Sequence, residues 1–363
     1  MVEHRPVWGA AAATAIPYSD EIEQIQPDEA DYIRRCLDSL LRTNEMTFDL
    51  YRHGYRATHA KSHGILRGRL DVHEDLADEL AQGLFARPAS YPVVARIATE
   101  TGQLDDDRKP NARGLALKVL DVAGPKLHPE EPNTPVHDML FNTLPWLPGG
   151  TAKTFTELTE IRERYFAQPQ NLAAALAERS DGEELAAFDR LANIHPLAHA
   201  YYTQAAFRYG DYVAKIAALP AAARQRELAQ RTITDSDHRG ILRELLASHT
   251  AEHETVFAIG AQLRTNAERM PVEDAGVDWP QNESPYRTVA TVRLPRQDPY
   301  SPPRRVFADD RLAFRPMHGL AAHRPLGSIN RLRRHVYDAL GSQRFGLNAV
   351  SGTEMTDIDE LPD

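Results

Sequence analysis

The chain has 363 residues, 42% of them hydrophobic, which is ample for a large core in one or two domains. A formal charge of −10 with no dense basic run argues against nucleic acid and anionic membranes as principal partners. The single cysteine, Cys36, rules out an intrachain disulfide and fits a reducing compartment.

No apolar run approaches the ~20 residues of a membrane-spanning helix. Met1 to Pro17 lacks a basic stretch followed by an apolar core, so no signal peptide and a cytoplasmic location are expected. Residues 1–26 are polar and irregular. Pro27, Asp28 and Glu29 suit a helix start, and Ile33, Leu37, Leu40 and Leu41 continue it at helical spacing. Residues 1–50 thus read as an arm and helix. Arg56-Ala57-Thr58-His59-Ala60-Lys61 follows, then Leu66, Gly68, Leu70 and Val72 alternate with Arg67, Arg69 and Asp71, the period of a strand. His59 therefore stands just before a strand. A zinc site from His53, His59 and His63 is an alternative, weakened by the lack of a nearby acidic ligand.

Further strands are expected over 93–98, with Arg96 and Ala98 on one face and Val93, Ala95 and Ile97 on the other, and over 114–119. Residues 51–150 form this first block of strands. From 151 to about 250 alanine-rich amphipathic stretches (Phe155, Leu158, Ile161, Tyr165; Leu185, Phe188, Leu191; Ile241, Leu245, Leu246) predict a helical layer. His195, His199, Tyr201 and Tyr202 lie within it without an assigned role. Strands return at 257–263 and 287–294, and Ser328 is the expected N-cap of a helix carrying Arg333 and Tyr337. These make up 251–348, and 349–363 is a short acidic tail.

Arg333 and Tyr337 are four apart, so a helix sets a guanidinium beside a phenol. A phenol ionises near pH 10, and making it a phenolate at neutral pH takes a shift of roughly three units, about 4 kcal/mol. A permanently charged guanidinium acts in that direction. A phenolate is a ligand for ferric haem.

With Arg344 seven residues beyond Tyr337, this segment resembles the proximal haem motif of the catalase superfamily. Arg56-x-x-His59 resembles its distal motif. The resemblance covers roughly 50–145 and 255–348. It implies an α+β fold: an antiparallel β-barrel with a helical layer, and haem b buried between the barrel and the proximal helix. It implies Tyr337 as the iron ligand, supported by Arg333 and Arg344. His59 and Asn142 are the implied distal catalytic groups, Arg56 and Arg96 the propionate arginines, and Phe155 the pyrrole-stacking ring. Ala98 departs from the family's serine, which bonds the distal histidine. Thr58 stands where catalases carry valine and the catalase-like allene oxide synthases carry threonine, and its hydroxyl is expected to bond His59.

The implied function is a haem-dependent oxidoreductase that cleaves hydrogen peroxide or organic hydroperoxides, a peroxidase with weak catalase activity. The chain is similar to the small catalase-related haem proteins. Alternatives are a haem enzyme that rearranges or oxidises one small organic substrate, a non-catalytic haem protein, and a haem-free barrel with Tyr337 structural. A homo-oligomer, dimer or tetramer, is expected by analogy.

Overall fold

The computed structural model describes residues 14–128, 133–187, 190–352 and 354–363. Nine strands form one antiparallel sheet: β1 (Ser62–Val72), β2 (Ser90–Thr99), β3 (Arg113–Leu120), β4 (Val136–Asn142), β5 (Tyr201–Tyr202), β6 (Phe207–Tyr209), β7 (Tyr212–Pro220), β8 (Thr255–Leu263) and β9 (Arg287–Leu294). β1 pairs with β2 on one side and β9 on the other. The short β5 pairs with both β4, at Asn142↔Tyr202, and β7, at Tyr201↔Ala218, which closes an eight-stranded barrel. β6 stands outside the ring as a hairpin partner of β7.

Alternation decides what lies inside. Leu66, Leu70 and Val72 of β1, Val93, Ala95 and Ile97 of β2, and Leu115, Leu117 and Val119 of β3 meet Phe257, Ile259 and Val292 in the barrel core. The opposite residues, Ile65, Val94 and Leu120, pack outward against Ala308, Leu312, Met355 and Leu361. The 349–363 segment is thus no free tail. It crosses the outer barrel face, and the Arg67 and Arg304 guanidiniums donate to its carbonyls at Leu361 (2.6 Å) and Pro362 (2.9 Å).

The helices are α1 (Glu29–Tyr51), α2 (Ala152–Arg164), α3 (Pro169–Ala177), α4 (Gly182–Leu185), α5 (Ala223–Glu227), α6 (Ile241–Glu252), α7 (Pro302–Val306) and α8 (Ser328–Leu347). α1, α2 and α8 pack together through Cys36, Leu40, Ala152, Leu332 and Val336. The stretch expected to be a helical layer holds three strands besides its helices. β7 is buried on almost every residue, so it lacks the period of two, and its alanines read as helix formers. Tyr201 and Tyr202 are barrel residues. Phe188 lies outside the described residues, as do residues 1–13 at the head of the chain. Ser328 is not the cap of α8. Gly327, at φ +84°, holds that position, and Ser328 donates its hydroxyl to the Glu273 carbonyl at 2.9 Å instead. Among the described residues no helix is long and apolar enough to cross a membrane.

Candidate functional site

On the outer face of the barrel, strands β2, β3 and β4 form a floor in register: Arg96 opposite Ala116, Ala98 opposite Gly114, and Gly114 opposite Asn142. A cavity of about 180 Å³ opens above this floor, closed on the other side by α8 with help from α1 and α2. Arg56, Thr58, His59, Arg96, Asn142, Phe155, Arg333, Tyr337 and Arg344 all line it. Residues drawn from five separate stretches of sequence thus meet at one place.

The loop before β1 aims His59. Its N–H donates to the Glu100 carbonyl at 2.8 Å and that of Ala60 to Thr101 at 2.9 Å. His59 takes φ +55°, a left-handed conformation that non-glycine residues adopt only under constraint. The imidazole then lies over Gly114, where a Cβ would come within 2.4 Å of Nδ1. Nδ1 is buried without a hydrogen-bond partner. The expected Thr58 bond to this ring is therefore absent. The edge of the ring that carries Nδ1 packs on bare backbone, and Ala98 offers no hydroxyl there either. Burial, and then the charges of Arg96, Arg333 and Arg56, push the His59 pKa down to about 3, so the imidazole is neutral at physiological pH. Asn142 Oδ1 accepts the Thr143 N–H at 2.7 Å, which fixes the amide with its NH₂ as the remaining donor.

Five guanidiniums line the cavity, and four of them, Arg56, Arg96, Arg333 and Arg344, are those expected from the sequence. Arg56 donates to the Ala308 and Leu312 carbonyls at 2.9 and 2.5 Å, Arg96 to the His59 carbonyl at 2.7 Å, and Arg344 to those of Asp309 and Leu312. Arg333 donates to Asn330 Oδ1 at 3.3 Å and interacts electrostatically with Tyr337. None of these four makes an ion pair with a carboxylate among the described residues, although Asp309 lies within electrostatic range of Arg56, Arg96 and Arg344. Burial lowers the pKa of all four, that of Arg344 to about 8, where Arg56 and Arg96 add repulsion.

These features fit a haem. Buried cations short of counter-ions suit a group that brings two carboxylates. An apolar wall that includes Phe155, Leu332 and Val336 suits a flat macrocycle, and Tyr337 offers an oxygen ligand. Gly341, one turn beyond Tyr337, has no atom within 4 Å of where a Cβ would be, so a planar group can approach the helix closely there. The zinc alternative finds no support. His63 bonds Thr99 Oγ1 at 2.8 Å and His53 meets Asp310 at 2.9 Å, far from forming one ligand set with His59. Among the described residues only Asp138, His318 and Glu354 bring three such ligand atoms together, and the Lys118 ammonium already binds both carboxylates.

Sequence reasoning missed Glu100, Gln204, Phe314 and Arg315, which also line the cavity. They sit in connections whose position is set by long-range packing, and nothing in their local sequence marks them.

The sequence matches no protein-family model and no curated protein. The structure is similar to catalase A from Saccharomyces cerevisiae (TM-score 0.59, 16% identity, 94% of this chain and 71% of that one). It is also similar to a fungal catalase (0.58, 15%, 96% and 69%) and a bacterial catalase (0.59, 14%, 96% and 68%). The fold is therefore of the catalase type: a closed eight-stranded antiparallel barrel with helices against it.

Proposed function

We propose that the chain is a haem-dependent oxidoreductase that cleaves hydrogen peroxide or an organic hydroperoxide, acting as a peroxidase with weak catalase activity. The observation that carries this reading is Tyr337 and a neutral His59 on one cavity with Arg56, Arg96, Arg333 and Arg344, which have no ion-pair partner among the described residues. In it, haem b would be held by the Tyr337 oxygen, by Arg56, Arg96 and Arg344 at its carboxylates, and by Phe155 against its face. When bound, the group supplies the electrons that break the O–O bond.

The rest is done by the chain. Arg333, one turn before Tyr337 on α8, sets a positive charge beside the phenol oxygen. His59, uncharged, takes the proton from one peroxide oxygen and returns it to the other, which leaves as water or an alcohol. Asn142 holds the peroxide through its NH₂ group. Packing on Gly114, rather than a hydrogen bond at Nδ1, keeps the imidazole in place. The apolar wall formed by Phe141, Leu147 and Phe155 favours organic hydroperoxides, and with them a second reading in which such a substrate is rearranged in place.

The test is turnover of hydrogen peroxide and cumene hydroperoxide, with a phenolic donor, by the haem-loaded protein and its His59→Ala variant. Loss of about 10²-fold or more is expected for a general acid–base group. Equal rates in the two proteins would remove His59 from the chemistry.

A further inference from the structure

Among the described residues, Glu100 is the one carboxylate that lines the cavity. Its backbone is fixed on both sides, the carbonyl accepting from His59 N–H at 2.8 Å and the N–H donating to the Ala112 carbonyl at 3.0 Å. Its carboxylate has no hydrogen bond or ion pair with any described residue. Arg56, Arg96, Arg333 and Arg344 differ, since each already donates to a carbonyl or an amide oxygen. Glu100 is half-buried, so its carboxylate faces the cavity without a partner among the described residues, and a cationic group on a ligand can make a charge-assisted contact there.

Gln204 makes a second such position. It is only 2% exposed and holds φ +64°. Its Nε2 donates to the Trp146 carbonyl at 2.7 Å, which leaves Oε1 as the free, accepting end of a side chain that lines the cavity. Register places the two residues. Glu100 follows Thr99, which pairs with Arg113; Gly114 pairs with Asn142; and Asn142 pairs with Tyr202, two residues before Gln204. Glu100 and Gln204 therefore stand at opposite ends of a wall four strands wide, roughly 14 Å at ~4.8 Å per strand. His59 and Asn142 lie between them.

We infer that the cavity takes a second, organic substrate with a protonated amine, bound at Glu100, on an apolar frame whose far end donates a hydrogen bond to Gln204. The inference deepens the peroxidase reading by naming the class of electron donor, and it rests on that reading only for the cofactor's presence.

Isothermal titration of the haem-loaded protein with three phenols tests it: tyramine, 4-ethylphenol, which lacks the amine, and 3-(4-hydroxyphenyl)propionate, which replaces it with a carboxylate. Tyramine binds tightest if the inference holds. Glu100→Gln then weakens tyramine about tenfold and leaves 4-ethylphenol unchanged, and Gln204→Leu weakens both. Unchanged tyramine binding in Glu100→Gln, or tighter binding of the propionate, would overturn it, the latter because the arginines would then be selecting the ligand. An unaltered Soret band in Glu100→Gln separates ligand loss from cofactor loss. A wild type without a Soret band condemns the haem reading alone, and the same titrations on the cofactor-free protein then decide the role of Glu100.

Discussion

Gly114→Ala is the smallest change that reaches the chemistry. The added methyl would stand 2.4 Å from His59 Nδ1 and 2.5 Å from Cε1, against an ordinary contact of 3.4 Å or more, so the ring must retreat by about 1 Å. It cannot do so by sliding the backbone, because the His59 N–H is bonded to Glu100 and its carbonyl to Arg96. A displacement of this size at a catalytic group costs on the order of 10²-fold in rate, about 2.7 kcal/mol. Overpacking costs a further ~1–3 kcal/mol of stability, which a domain of this size survives. The assay is kcat/KM for cumene hydroperoxide on protein whose Soret band matches the wild type. Activity within twofold of the wild type would refute the claim that packing on Gly114 positions the imidazole.

Two further outcomes concern stability. Lys118 has no exposed side-chain surface and holds Asp138 at 2.8 and 3.0 Å together with Glu354 of the C-terminal segment. Lys118→Met leaves the buried Asp138 without an ammonium and Glu354 with only His318, 3.1 Å away, and should cost about 3–5 kcal/mol in urea unfolding; a loss below 1 kcal/mol would show that the cluster does not depend on its ammonium. Burial lowers the pKa of His63 and His137, that of His195 and His323 to about 4, and that of His59 and His199 to about 3. The unfolded chain takes up these protons below pH 6.5 and the folded one does not, so stability is full above pH 6.5 and falls steadily towards pH 3. A urea midpoint that stays flat between pH 7 and 5 would contradict this.

The barrel was legible where a strand has one wet or loosely covered face. Leu66 to Val72 alternates with charged residues because Arg67, Arg69 and Asp71 stay partly exposed. The long-range motif was legible because helical spacing fixes Arg333, Tyr337 and Arg344 against one another without help from the fold. β7 was not, since burial on both faces erases its period, and neither was β5, whose two residues carry no pattern at all. The C-terminal segment looked like an acidic tail because its few apolar residues, Met355, Ile358 and Leu361, are spaced for a groove that only the folded barrel supplies. Glu100 and Gln204 belong to the same class. Residue type gave no hint of them, and strand register brought them to the cavity.

The central claim is that Tyr337 is an iron ligand. The most direct measurement is the absorption spectrum of the purified, haem-supplemented protein and its Tyr337→Phe variant. A high-spin ferric tyrosinate spectrum in the wild type that disappears in the variant is the predicted result. A wild type that binds no haem, or a variant with an unchanged spectrum, would contradict it.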